Sequence, residues 1–250
     1  MNAFLIGLQF LTRIRIFPQK EWKDETFGKS VSYFPLIGFV IGLFSCGLYA
    51  LLHRALTPEM MALIITAGEF FITGAMHADG LMDTFDGVLS GRSRERSLEI
   101  MKDSRIGSFG LLAFLFLVLF KLFGLAGTEG SLYMILIAMP VIGRLNMTVS
   151  ICEYPYARPA GIGKAFAVFR SPHAMGHAFF WAFLPALYFG WVYLFLMGAG
   201  LLTGLAVNRW IVGKIGGVTG DTYGAVTEIT ELVILLLYMV WSRVTVWPIS

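Results

Sequence analysis

The string HADGLMDTFDG sets Asp79, Asp83 and Asp86 at i, i+4 and i+7, so a helix through it carries three carboxylates on one face. Like charges stacked in this way repel, and the arrangement calls for a cation. Oxygen donors without cysteine suit magnesium, manganese or calcium rather than zinc. A metal that also takes phosphate is the simplest neutraliser, which points to phosphoryl-group chemistry at Asp79, Asp83 and Asp86. The bland alternative is a solvated acidic helix end. Against it, Leu81, Met82, Phe85 and Val88 keep the opposite face apolar enough to dock on a larger body. His77, just before the cluster, is a candidate ligand, general base or simple cap for polar backbone.

Other polar strings could complete such a site. Lys102, Asp103, Ser104 and Arg105 crowd ahead of Gly107 and Gly110, where the start of a helix can receive an anion. Asp103 would add a metal ligand, and Lys102 and Arg105 would hold phosphate oxygens. Arg92, Arg94 and Arg96 read as ordinary basic loop residues. The segment CEYPYARPAGIGKAFAVFRSPH (152–173) offers Arg158, Lys164 and Arg170 among glycines and prolines, a loop able to cradle phosphate, although Gly-x-Gly alone is weak evidence. In KIGGVTGDTYGAVTEITE, Asp221 sits among Gly216, Gly217 and Gly220, with Thr219, Thr222 and Thr227 close by and Glu228 and Glu231 beyond. Irregular backbone with a carboxylate is tolerated at membrane depth mainly beside a polar cavity, so this turn is expected to form the second half of the site.

The elements that must position these groups are membrane helices. Of 250 residues, 57% are hydrophobic and 14% charged, and the mean hydropathy is +0.73. Crossing about 30 Å of hydrocarbon takes roughly 20 helical residues. Seven stretches qualify, near 31–52, 59–77, 106–126, 131–151, 174–194, 195–213 and 229–247, with 179–207 readable as two spans joined near Gly198 and Gly200 or as one span plus a broken helix. The expected fold is an all-α polytopic transmembrane bundle of about seven spans, a single domain over 1–250, with active-site loops on the cytoplasmic side.

Lys and Arg gather in alternate connections: Arg13 to Lys29, Arg92 to Arg105, and Arg158 to Arg170. These loops are expected in the cytoplasm, together with the N-terminus, in a bacterial inner membrane. The first residues read as an interfacial amphipathic helix with Trp22 near the headgroups, not as a cleaved signal. A net charge of +3, with no basic stripe, excludes nucleic acid as a partner. Membrane lipid is the surrounding partner, and a homo-oligomer stays open. Cys46 and Cys152 form no metal or disulfide framework and read as packing residues. Gly38, Gly42 and Gly47 read as small positions for close helix approach. Glu69 in the second span needs a buried partner, Lys121 or Arg144; Arg144 could instead face a phosphate.

FLTRIRIF, YFPLIGFVIG, TGAMHADGLMDTFDG, LEIMKDSRIGSFG, Gly143-Arg144, PYARPAGIG and GGVTGDTYGAVTE follow one another along nearly the whole chain. In that combination and order the sequence resembles the cobalamin synthase (adenosylcobinamide-GDP ribazoletransferase) family. The resemblance implies that α-ribazole, or its 5′-phosphate, is joined to adenosylcobinamide-GDP with release of GMP, giving adenosylcobalamin or its phosphate. It further implies attack by the 5′-hydroxyl on the phosphorus nearest the cobinamide, with Mg2+ held by Asp79, Asp83, Asp86, Asp103 and Asp221. Asp83, Asp86 or His77 would act in catalysis; Lys102, Arg105, Arg144, Arg158 and Thr219 would bind substrate. The DG-x-x-D-x-x-DG string is also similar to the CDP-alcohol phosphotransferases, but Asp83-Thr84 stands where that family has Ala-Arg. A transporter is the other class that intramembrane Glu69, Lys121 and Arg144 would suit. The densest carboxylate cluster falls in a loop, and no inverted repeat is visible, which favours the enzyme.

Overall fold

The computed structural model describes residues 2–16 and 23–246. Thirteen α-helices follow in order: α1 (Ala3–Leu11), α2 (Asp24–Ser30), α3 (Phe34–Leu52), α4 (Pro58–Thr73), α5 (Met76–Val88), α6 (Arg94–Ile100), α7 (Ser108–Ala126), α8 (Tyr133–Glu153), α9 (Ile162–Phe169), α10 (Ala174–Phe183), α11 (Ala186–Phe189), α12 (Trp191–Ile215) and α13 (Gly220–Val246). The chain is an all-α, polytopic integral membrane protein. Among the described residues, five helical stretches are long and apolar enough to cross a membrane: Asp24–Leu52 (α2 running on into α3), Ser108–Ala126, Tyr133–Glu153, Trp191–Ile215 and Gly220–Val244. The pair α4 and α5 passes the same test but is bent by 89°.

Of the two readings of the apolar run after residue 174, the structure has one span plus a broken helix. Pro185 and Gly190, the latter at φ 71°, divide it into α10 and α11 before α12 begins. The irregular turn expected around Asp221 is short. α12 continues to Ile215 and α13 starts at Gly220, so Asp221 and Glu228 lie on the same long helix as Glu231.

α8 is the hub. Every residue from Met134 to Ile151 is buried, among them the polar Arg144, Asn146, Thr148 and Ser150. Polar groups survive there because each finds a partner on a neighbouring helix. Asn146 donates to the Gly200 carbonyl at 2.7 Å and to Thr230 at 3.0 Å, and Asn208 donates to Ser150 at 2.8 Å. α3 lies against α8 through Gly38 and Gly42; a Cβ at Gly42 would stand 2.8 Å from the Leu136 carbonyl. Gly47 faces open space instead, so only two of the three glycines serve that seam.

α1 packs into the body rather than lying free on an interface. Ile6, Leu8 and Leu11 share an apolar cluster with Phe27, Val31, Phe34 and Ile37, and the Arg13 N–H donates to the Ile72 carbonyl at 2.7 Å. Lys20 and Trp22, expected near the headgroups, lie outside the described residues.

Candidate active site

The bend between α4 and α5 is built from two consecutive left-handed residues, Gly74 (φ 66°) and Ala75 (φ 57°). That conformation is unusual for a residue with a Cβ. It turns the chain so that α5 leaves the line of α4. At 13 residues, about 20 Å long, α5 is too short to cross hydrocarbon. It packs against α13 and α7, and glycines allow the approach. A Cβ on Gly80 would come within 2.5 Å of the Asp221 carbonyl, and one on Gly224 within 2.7 Å of the His77 carbonyl. The aspartate face of α5 is thereby brought beside Asp221, 135 or more residues away in sequence.

A second junction fixes Asp221 itself. Residues of the 152–173 segment pair with the turn before α13: the Ala157 N–H donates to the Val218 carbonyl and the Val218 N–H to the Pro155 carbonyl, both at 2.8 Å. Arg158 then reaches Asp221 Oδ2 at 2.7 Å. Arg94 clamps the same junction, donating to the carbonyls of Ile215 (2.8 Å) and Ala157 (3.4 Å).

A cavity of about 210 Å³ is lined by Asp79, Asp83 and Asp86 of α5 together with Lys102, Asp103, Ser104 and Arg105. The three carboxylates of α5 do share one face. They have different partners, however. Among the described residues, no hydrogen bond reaches the carboxylates of Asp79 or Asp83. Asp86 accepts from the N–H groups of Gly107 (2.7 Å) and Gly110 (2.8 Å). The anion received at the start of α7 is therefore Asp86, not a phosphate, and both its oxygens are committed to capping.

Asp103 is likewise engaged. Arg105 Nε lies 3.0 Å from Oδ1 and 3.1 Å from Oδ2, and the Arg105 N–H donates as well. These hydrogen bonds hold the Asp103 carboxyl down at about 2. Asp83 is displaced the other way: burial, then the charges of Asp221 and Asp79, push its carboxyl up to about 7. Unneutralised carboxylates facing one another produce that shift, and a bound cation relieves it.

Among the described residues no three His, Cys, Asp or Glu side chains converge closely enough to hold one metal ion. The five-aspartate metal set expected from the sequence is not assembled as a cage. Two more expected contacts turn inward. Arg144, expected to touch substrate, is buried; it pairs with Glu231 and faces His77 Nδ1 at 3.3 Å. Thr219 is fully buried and closes the start of α13, its N–H donating to Thr222 Oγ1 at 2.8 Å and its hydroxyl to Asp221 at 3.3 Å. His77 is buried too, and its Nε2 has no hydrogen-bond partner.

The partner of Glu69 is Lys121, at 3.1 Å. Lys121 also meets Glu228 at 2.8 Å and Glu231 at 2.9 Å, so three carboxylates and two cations, the second being Arg144, form one dry cluster joining α4, α7, α8 and α13. Its signal in the sequence was Glu228 and Glu231 at i, i+3 on an otherwise apolar helix. Sequence spacing gave no such signal for a second cavity, about 180 Å³, on the other side of α5. Its walls include Phe10, Met147, Phe166 and Tyr223, from four distant segments, and His77, Asp79 and Asp221 also border it.

The sequence model for cobalamin-5-phosphate synthase matches residues 3–239. The chain belongs to this family. Among relatives, the adenosylcobinamide-GDP ribazoletransferase of Fusobacterium nucleatum is 36% identical, covering 96% of this chain and 98% of its own. The enzyme of the same name from Alkaliphilus metalliredigens is 38% identical over 96% of this chain and 95% of its own, and that of Caldanaerobacter subterraneus 35% over 96% and 98%. No solved structure matches. The family match spans every segment that borders the two cavities, from Phe10 to Gly224.

Proposed function

We propose that the chain joins α-ribazole, or its 5′-phosphate, to adenosylcobinamide-GDP, forming adenosylcobalamin or its 5′-phosphate and releasing GMP. The observation that carries this reading, beside family membership, is the single cavity in which Asp79 and Asp83 face Lys102 and Arg105. It unites free carboxylates with cations able to hold a diphosphate.

A ribose hydroxyl of the acceptor forms a bond to the phosphorus that carries the cobinamide. The bridging P–O bond of the diphosphate breaks, and the bridging oxygen leaves with GMP. A 5′-phosphorylated acceptor has no 5′-hydroxyl, so one site serving both acceptors uses a 2′- or 3′-hydroxyl, not the 5′-hydroxyl expected from the sequence. The proton passes to Asp221. Both hydrogen bonds to that carboxylate fall on Oδ2, which leaves Oδ1 free to accept. Arg158 orients it.

Mg2+ fits the donors at hand. This ion is commonly held by one or two carboxylates plus substrate phosphates, not by an all-protein cage. Asp79 and Asp83 would supply the two, and their unrelieved repulsion supports a cation there. When bound, the ion neutralises the diphosphate and the charge developing on the departing GMP. Lys102 and Arg105 bind phosphate oxygens, and Asp103 holds the Arg105 guanidinium in place. The positive-inside distribution of Lys and Arg supports a cytoplasmic site in the inner membrane, with lipid around the exposed side chains of α7 such as Phe116 and Phe123.

The test is purified protein in lipid nanodiscs with adenosylcobinamide-GDP, α-ribazole and Mg2+. GMP and a cobalamin product are expected in equal amounts. Folded protein that releases no GMP overturns the proposal.

A further inference from the structure

The two cavities beside α5 differ in chemistry, and Asp79 borders both. The first has four aspartates, Lys102 and Arg105. Among the described residues, the second has no Lys or Arg in its lining; its walls are mainly Phe10, Phe166, Met147, Ile162 and Tyr223, with ionisable groups of His77, Asp79 and Asp221 at its border. Its volume of about 180 Å³ equals that of about six water molecules at about 30 Å³ each. That accommodates a bicyclic arene and excludes a corrin.

His77 borders the cavity with its imidazole closed off from it, and the tautomer of that ring is defined by its neighbour. A guanidinium has donors only, so His77 Nδ1, facing Arg144 at 3.3 Å, accepts. The neutral ring then carries its proton on Nε2, which is buried and has no partner. A buried donor left unsatisfied is costly, but this Nε2 is closed off from the cavity and is not offered to a ligand there.

We propose, resting on the ribazoletransferase reading, that this second cavity is the subsite for the base of the acceptor nucleoside. The base of ribazole is a substituted benzimidazole, flat and uncharged. Such a base matches walls made by Phe10, Met147, Ile162 and Phe166. Guanine, the other base in the reaction, has several donors and acceptors, which these walls would leave unpaired. With the base seated here and the diphosphate beside Lys102 and Arg105, the ribose hydroxyls and the reacting phosphorus meet along the Asp79 edge. His77, which the sequence left open as ligand, general base or cap, is buried against Arg144.

The experiment measures KM for each substrate separately. Gly220 borders the cavity, and a Cβ added to it meets nothing within 4 Å, so Gly220→Val narrows the pocket without displacing a neighbour. It is expected to raise KM for α-ribazole by about tenfold or more, leaving KM for adenosylcobinamide-GDP within about twofold. Ile162→Ala, at an exposed part of the lining, is expected to act in the same direction by less. On the unaltered enzyme, free 5,6-dimethylbenzimidazole should compete with α-ribazole, and GMP with adenosylcobinamide-GDP. GMP competing with α-ribazole, or variants that raise KM for the GDP substrate alone or neither KM, overturns the subsite assignment while GMP release by the unaltered enzyme keeps the reaction standing. Absence of GMP release from the unaltered enzyme instead removes the reading on which it rests.

Discussion

Two groups of acidic and basic side chains lie within one bundle, and they solve opposite problems. In the interior, Glu69, Glu228 and Glu231 surround Lys121 and Arg144, all nearly inaccessible, with each charge in contact with an opposite one. At the edge of α5, Asp79 and Asp83 face each other with no such partner, and the Asp83 carboxyl rises to about 7. A dry cluster has to be neutral or nearly so, because an unpaired buried charge costs several kcal/mol. A cleft can leave charge unpaired only where solvent, a metal or a substrate supplies the balance. The interior group is architecture; the cleft group is a site waiting for a cation and phosphate.

The largest separation between the two should come from removing one charge in each. Asp221→Asn and Asp83→Asn should lower GMP release by about 10²- to 10⁴-fold, with unfolding temperature in detergent little changed. Equal activity in both variants would end the distinction. Lys121→Met should act the other way round. It strands Glu69 and Glu228, Glu231 keeping Arg144, and should destabilise the bundle by about 3–5 kcal/mol, seen as lost folded yield and a lower Tm before any specific loss of turnover.

Asp86 tests the boundary, since it looks like a third cleft ligand and is bonded like a structural residue. Asp86→Ala frees two N–H groups at the start of α7 and should cost about 1–3 kcal/mol of stability. If its fall in turnover exceeds its fall in folded fraction by the same factor as Asp83→Asn, the capping role is not the main one.

The smallest effect is a pH dependence. Between the unfolded value near about 3.9 and the folded value near about 7, the native Asp83 holds more proton than the unfolded chain does. Its contribution to stability therefore declines as pH rises through that window. Mg2+ should restore Tm more at pH 8 than at pH 5, because protons compete with the ion. Asp103 supplies the contrast: its carboxyl, held near about 2, gives stability that is present above about 3.9 and lost only as pH falls toward about 2. It adds no slope between pH 5 and 8. A Mg2+ effect on Tm independent of pH would contradict the placement of the ion on Asp83.

Much of this was legible in the chain itself. Apolar length alone forces membrane helices, since hydrocarbon leaves the backbone no other solution here. The i, i+4, i+7 spacing alone puts three aspartates on one face of α5. A carboxylate in a span requires a partner, and Glu69 has one. What spacing cannot encode is which distant group arrives. Asp86 was expected to hold metal, and the N–H groups of Gly107 and Gly110 reached it first. Arg144 and Thr219 were expected to touch substrate, and helix packing turned them inward to Glu231 and Thr222. The run after residue 174 had the apolar length of a span, but Pro185 and Gly190 broke it.

The sequence by itself therefore determined the class of the protein, the helix that carries the carboxylates and, through its ordered motifs, the family. Those properties are local: composition, periodicity and short strings. Only the tertiary structure decided which charges are spent on each other and which stay open to a ligand. That depends on close approach of α5 to α13 through Gly80 and Gly224, and on the pairing of residues 155–157 with the turn before α13. It also formed the second cavity, whose walls come from segments near residues 10, 147, 166 and 223.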